Sequence, residues 1–274
     1  GEMLRIGGVK VFADGGVCGL PAVSFEYPGG QGKGDLWFTQ DEMNQIVASI
    51  HAAGYQVAIH AQGDRAIEQV LNAIELALGG EPNTARHRIE HNPFVRPDLL
   101  PRYSEVGVVA NIVGPYPTCG ENNEGYYSNF FGMENLSWLE NWRAFVDANP
   151  DLHIAWHGDD PWIIPVSPLI EMYSLVTRKE VAEDGTVCEP PDWLASHALT
   201  AKEVLTMMTI EGAYSLFRET EVGSLEVGKL ADLLILSDNP LTIDPDEINA
   251  IQIWLTMVGG VSEYCAPDRE TFCP

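Results

Sequence analysis

Four short β-like runs carry a side chain that can hold a metal ion or move a proton. Residues 9–12 carry Lys10, residues 57–60 end in His60, residues 86–91 end in His91, and residues 154–159 end in Asp159. Neutral imidazole is a common zinc ligand. A lysine in an apolar strand is costly to bury as a cation, and burial favours its neutral amine. That amine can take up carbon dioxide and then ligate as a carbamate. A carboxylate at the same rim can act as general base toward metal-activated water and return the proton to a leaving nitrogen. One Lys, two His and one Asp converging would suit a metal-dependent hydrolase.

Two alternatives compete for these residues. His87-Arg88-Ile89-Glu90-His91 matches H-x-x-E-H, a metalloprotease pattern that needs a helix to bring both imidazoles to one face. Pro82 and Pro93 bound the run and favour a strand. On a strand the two imidazoles lie too far apart to chelate one ion readily. His91 is then the ligand and His87 a structural residue. His51, in a helix, and His153, opening a strand, read as surface or packing residues. Asp159 stands beside Asp160, a pairing that can raise one pKa, and Pro161 fixes the turn after it.

Strands that end in chemistry and are followed by polar turns and amphipathic helices have the order of a (β/α) barrel, whose strand ends form the active face. The spacing predicts a strand over 4–13, then an irregular Gly- and Pro-rich stretch over 15–34. A helix over 39–54 follows, opened by a Thr39/Glu42 capping box and stopped by Gly54. Asp64 can cap a helix carrying Ile67, Val70, Leu71, Ile74 and Leu78 on one stripe. Helices are expected over 97–106, 138–148, 169–181 and 200–219, the last with a Thr200/Glu203 capping box. Strands are expected over 107–113 and 153–159. The aromatic loop with Tyr116, Tyr126, Tyr127, Phe130 and Phe131 reads as a substrate lid or as rim packing. After residue 219 the pattern changes to short strands over 224–227, 231–236 and 251–257. The chain therefore divides into a barrel-like part, 1–220, and a β appendage, 221–274.

The bulk numbers set limits. The 274 residues carry 15 Lys plus Arg against 40 Asp plus Glu, a net charge of −25 that argues against nucleic acid and anionic membranes as partners. There is no long apolar run for a membrane span and no signal-like start, which favours the cytoplasm over the periplasm. The five cysteines are scattered and contain no C-x-x-C, so neither a disulfide framework nor a thiolate zinc site follows. Cys265 and Cys273 are close enough to pair in an oxidising compartment.

Five stretches in order resemble the amidohydrolase superfamily, in its amidohydrolase-3 (YtcJ-like) branch. They are Gly8-Val9-Lys10-Val11-Phe12-Ala13-Asp14-Gly15, His60-Ala61-Gln62-Gly63-Asp64-Arg65-Ala66, Arg88-Ile89-Glu90-His91, Asp159-Asp160-Pro161 and Gly223-Ser224-Leu225-Glu226-Val227-Gly228-Lys229-Leu230-Ala231-Asp232-Leu233. The resemblance implies an α/β fold, a partial TIM barrel of about strands 4 to 8, with a small carboxyl-terminal β-sandwich segment. It implies a divalent metal, usually zinc, held by Lys10, His60 and His91, with Asp159 as the proton shuttle. The substrate would be a small amide or formamide-like molecule cleaved at a C–N bond. Asp14 and Arg65 would shape its pocket, with Tyr116 and Tyr126 from the lid.

One departure stands out: the family's H-x-H pair is absent from this sequence. The resemblance begins at the fourth barrel strand, which implies the carboxyl-terminal portion of the family's fold. An open half-barrel would expose strand edges and an apolar interior, so a homo-oligomer or a complementing amino-terminal half is expected to cover it. The competing expectation is a truncated, catalytically inactive binding or scaffold protein.

Overall fold

The computed structural model describes residues 6–16, 20–114, 131–159 and 167–273. Its centre is a sheet of five parallel strands in the uninterrupted order β1 (Gly8–Phe12), β2 (Gln56–Ala61), β3 (Arg88–His91), β4 (Val109–Val113) and β5 (Ile154–His157). Parallel neighbours need a long crossover. Helices α1 (Gln40–Ala52), α2 (Asp64–Leu78) and α3 (Leu100–Val106) lie in the first three, and Trp142–Ala148 in the fourth.

The register sorts the strand residues into two faces. Val11, Ile59, Ile89, Ala110 and Ile154 pair in one row across all five strands. Ile59, Ile89, Ala110 and Ile154 of this row are buried, with α2 residues Ile67, Val70, Leu71 and Ile74 in the same core. The next row along the strands is Phe12, His60, Glu90, Asn111 and Ala155. Side chains alternate between faces, so this row belongs to the opposite face. That face is polar, carrying Lys10, His60, Arg88, Glu90, Asn111 and His157, and this corrects the expectation of an apolar interior.

The local signals set several boundaries. Both capping boxes form: Thr39 with Glu42, and Thr200 with Glu203. Residues 88–91 form a strand, so the helical metalloprotease reading does not hold. Asp64 does not cap α2, whose N-cap is Gly63; its carboxylate instead accepts from Ser24 N–H at 2.8 Å and from Arg96 at 3.1 Å. Glycine is required at residue 63, where a Cβ would meet Ala22 O at 2.0 Å. The helix expected over 138–148 starts only at Trp142 and runs to Ala148; a 3-10 turn, Met133–Trp138, precedes it, with Glu140 at φ 46° between them.

Beyond the sheet, the helix expected over 200–219 ends at Ser215 and contains a π-helical turn, Met207–Glu211. Arg86 fastens the segment after it, with a bidentate pair to Glu219 and rings of Tyr214 and Phe217 at 3.7 and 4.3 Å. The tail is a three-stranded antiparallel sheet of β6 (Leu233–Leu236), β7 (Ile253–Val258) and β8 (Val261–Cys265). Among the described residues the tail contributes this one sheet, a segment and not a whole sandwich. The strand expected at 224–227 is a turn, tied by Lys229 to Ser224 at 2.6 Å and by Ser224 to Glu226 at 2.5 Å. Cys265 and Cys273 are joined in the disulfide that their spacing allowed, whereas Cys188 is disulfide-bonded as well, which the scattered cysteines did not suggest.

His87 is fully buried at the amino-terminal end of β3. Its Nδ1 accepts from Val57 N–H at 3.0 Å, which leaves Nε2 to donate to His51 Nδ1 at 2.8 Å. Protonating either ring puts two N–H groups face to face. Burial, then the neighbouring His51, pushes His87 down to about 4. Its unfolded pKa is higher, so its contribution is full above about pH 6.5 and is lost as pH falls toward 4. The contribution is at most about 3 kcal/mol. His197, also lowered to about 4 by burial, adds the same sign. Asp14, raised to about 7 by burial, has the opposite sign and favours the fold at lower pH. His87→Gln is therefore expected to flatten the acid side of the stability curve by about one proton relative to wild type. Urea unfolding at several pH values measures this, and an unchanged slope would remove His87 as its source.

Candidate active site

The sheet's polar face forms one wall of a cavity of about 1120 Å³. Lys10, Arg88, Glu90, His91, His157 and Asp159 line that side. Leu205, Leu216, Leu225 and Leu236 line it from the carboxyl-terminal segments.

Three imidazoles meet at the carboxyl ends of the strands. The rings of His60 and His91 are 4.5 Å apart, and those of His91 and His157 are 4.8 Å apart. His157 was not singled out from sequence. It ends β5 as His60 nearly ends β2, so the strand-end signal was available. His91 and His157 lie on β3 and β5, with β4 between them. In a flat sheet those strands are about 10 Å apart. Ring contact across β4 means that this face is concave.

Strand alternation alone would put His91 on the buried face with Ile89. Instead His91 has φ 78° and sits at the centre of a three-residue turn, closed by Asn92 N–H to Glu90 O at 3.2 Å. Turns of this kind are rare and strained, and such strain persists only where surrounding contacts enforce it. Asn92 supplies them. Its amide donates to Ile89 O at 2.9 Å and Asn111 O at 3.0 Å, and it accepts from Tyr103 Oη at 2.6 Å.

Each imidazole is biased toward its neutral form. His91 is pushed down to about 2 by burial, with His157, His60 and Lys10 adding to the effect. His60 and His157 are lowered by burial as well. His60 Nε2 faces Gly15 O at 3.1 Å and Asp14 Oδ1 at 3.5 Å, so it carries the proton and leaves Nδ1 as the lone-pair atom. His91 Nδ1 and His157 Nε2 are buried without a hydrogen-bond partner. Unpartnered buried imidazole nitrogens are suitable donors for a divalent ion. The donor chemistry fits a metal, although no group of three or more His, Cys, Asp or Glu among the described residues is arranged to hold one as it stands.

The other expected site residues separate into three groups. Lys10 faces the cavity but is the third residue of five in β1, opposite Ala58, and does not end its strand. It is open to the cavity, yet desolvation by the surrounding protein lowers its pKa, with Glu90 and Asp159 opposing. Asp159 is exposed at φ 55°, two residues after His157 on the same cavity wall. Asp14 does not shape the pocket surface, because it is fully buried. Its carboxylate accepts from Ala22 N–H at 2.9 Å, Gln62 N–H at 3.0 Å and Gly63 N–H at 2.8 Å. Arg65, also outside the cavity lining, reaches Gly34 O at 3.4 Å. Tyr116 and Tyr126 lie outside the described residues, as do Tyr127 and Phe130; Phe131 is buried in the core.

Glu90, Arg88 and Asn111 were also missed from sequence. Arg88 Nε donates to Glu90 at 2.6 Å, and Asn111 Nδ2 donates to the other Glu90 oxygen at 3.0 Å. These contacts fix the polar floor beneath the imidazoles.

Comparison with known proteins finds hydrolases among the relatives of this chain. The model of the amidohydrolase family matches residues 1–264. YtcJ of Bacillus subtilis (strain 168), a predicted amidohydrolase, is 27% identical over 96% of this chain and 48% of its own length. An N-substituted formamide deformylase from Arthrobacter pascens is 30% identical over 96% of this chain and 46% of its own length. An uncharacterized metal-dependent hydrolase from Pyrococcus furiosus superposes with a TM-score of 0.69 at 26% identity, over 88% of this chain and 46% of that one. The chain spans about half the length of the curated relatives it matches.

Proposed function

The chain belongs to the amidohydrolase family, and from that premise we propose that it supplies the imidazole- and carboxylate-bearing strands of a metal-dependent hydrolase cleaving a C–N bond in an amide or formamide-like substrate. One observation carries the reading: three neutral imidazoles touch at the carboxyl ends of parallel strands, two of them with buried, unpartnered nitrogens. The sheet is read as a segment of a (β/α) barrel. That is supported by the uninterrupted strand order and by ring contact across β4.

His60 and His91 would hold the metal, zinc being favoured by imidazole donors. His157 joins them through its free Nε2. Lys10 completes the set if its amine carries a carbamate long enough to reach beyond its mid-strand position. When bound, the ion supplies Lewis-acid polarisation of the scissile carbonyl and a lowered pKa for water. Asp159 takes the proton from the attacking water and delivers it to the leaving nitrogen. The buried Asp14 and Gly15 O hold His60 in the tautomer that leaves Nδ1 free to donate its lone pair.

Leu216, Leu225 and Val258 are exposed apolar residues of the cavity wall, and β1 and β5 are the two edge strands of the sheet among the described residues. Such a surface supports a homo-oligomer or a complementing amino-terminal half as partner. The Cys265–Cys273 disulfide supports an oxidising compartment over the cytoplasm. Among the described residues no helix is long and apolar enough to cross a membrane.

The test is amine release from simple N-formyl and N-acetyl amines by the full chain supplied with zinc. Release that stops on chelation and returns with zinc is expected. No release under any metal, with the chain folded, would instead favour the catalytically inactive reading.

A further inference from the structure

The imidazole cluster continues outward through two exposed aromatic rings. Phe12 is 5.0 Å from the His60 ring, and Trp37 stacks on Phe12 at 5.8 Å with 23° between planes. Phe12 is 44% exposed and Trp37 is 56% exposed. Large aromatics left this open beside a polar site are unusual and commonly mark a binding surface.

Trp37 also lines a separate cleft of about 230 Å³. Gly15, Gly32, Gly34 and Leu20 line the same cleft. Gly15 is the residue whose carbonyl faces His60 Nε2 at 3.1 Å. The cleft and the imidazole cluster therefore share a wall. Gly34 has φ +69°, and a Cβ there would meet Pro21 O at 2.1 Å, so only glycine allows the loop to pack this closely on residues 20 and 21. At Gly32 a Cβ would meet nothing within 4 Å, so there a flat group can approach the backbone closely. Gln31, Lys33 and Asp35 complete the lining and add polar groups.

We infer that Trp37 and Phe12, with the glycine-lined cleft beside them, form the subsite that selects an aryl or heteroaryl substituent on the amide substrate. A flat ring gains stacking from Trp37, and its edge meets backbone and polar groups of the loop. An alkyl chain of similar size gains only the apolar contact. The inference rests on the hydrolase reading for the identity of the substrate, but binding can be measured without turnover.

The experiment is isothermal titration of the full chain with N-benzylacetamide and N-butylacetamide, in wild type, Trp37→Ala and Trp37→Phe. Far-UV circular dichroism checks the fold of each variant. Wild type is expected to bind the aryl amide about five- to tenfold more tightly than the alkyl amide. Trp37→Ala is expected to bring the two within about twofold, and Trp37→Phe to retain most of the preference. Equal affinities in wild type, no saturable binding of either amide, or an aryl preference untouched by Trp37→Ala would overturn the subsite. An aryl preference that depends on Trp37, without amide hydrolysis, supports the subsite and removes the hydrolase reading.

Discussion

Asp159→Asn is expected to lower kcat for amide hydrolysis by about 10²- to 10⁴-fold, the usual loss when a positioned general base is removed. The substitution keeps shape and hydrogen-bonding atoms but cannot take up the water proton. Asp159 is exposed, so the fold has little reason to suffer. Metal content should stay near that of wild type, because the imidazoles are untouched. That pairing of lost turnover with retained metal separates a proton shuttle from a ligand. If zinc is lost together with activity, Asp159 belongs to the coordination set. If kcat changes by less than about threefold, the shuttle lies elsewhere.

Asp14→Ala carries the second large effect, on stability. Three backbone N–H groups, from Ala22, Gln62 and Gly63, end on its carboxylate in a region closed to solvent. Each buried donor left unpaired costs about 1–3 kcal/mol. Partial relaxation and water entry reduce the sum, so about 4 kcal/mol is expected for Asp14→Ala. Asp14→Asn keeps one acceptor oxygen and turns an amide N–H₂ toward a donor, so about half that loss is expected. Urea unfolding, with midpoint and slope both fitted, checks the pair. A loss below about 1 kcal/mol for Asp14→Ala would show that the loop over 20–36 does not depend on this carboxylate.

These two residues also show where sequence was informative. Capping boxes were legible because Thr39 and Glu42, or Thr200 and Glu203, are three residues apart and act within one turn. The strand end at His60 was legible because an apolar run stops there, and the one at His91 because Pro82 and Pro93 bound a run too short for a helix. His157 offered the same signal but stands beside the more conspicuous Asp159. The structural duty of Asp14 was not legible, since two of its donors lie 48 and 49 residues away. The strained turn at His91 was equally hidden. It is enforced by Asn92 contacts to Asn111 and Tyr103, and nothing in Glu90-His91-Asn92 alone demands a positive φ.

The tail was misread for a different reason. Val261-Ser262-Glu263-Tyr264-Cys265 lacks a clean apolar alternation, yet it pairs with β7 through a register shift between Ser262 and Tyr264. Gly259-Gly260 before it is the hairpin signal that could have flagged the strand. The polar cavity face was hidden in the same way, because Lys10, Arg88, Glu90 and Asn111 become neighbours only when three parallel registers are set.

Metal stoichiometry tests the central claim most directly. The full chain would be loaded with zinc, dialysed against metal-free buffer and analysed by elemental mass spectrometry beside His91→Ala. About one zinc per wild-type chain, and a small fraction of that in a folded His91→Ala, is the predicted result. No retained zinc in wild type, or equal zinc in both proteins, would contradict a metal centre built on these strand ends.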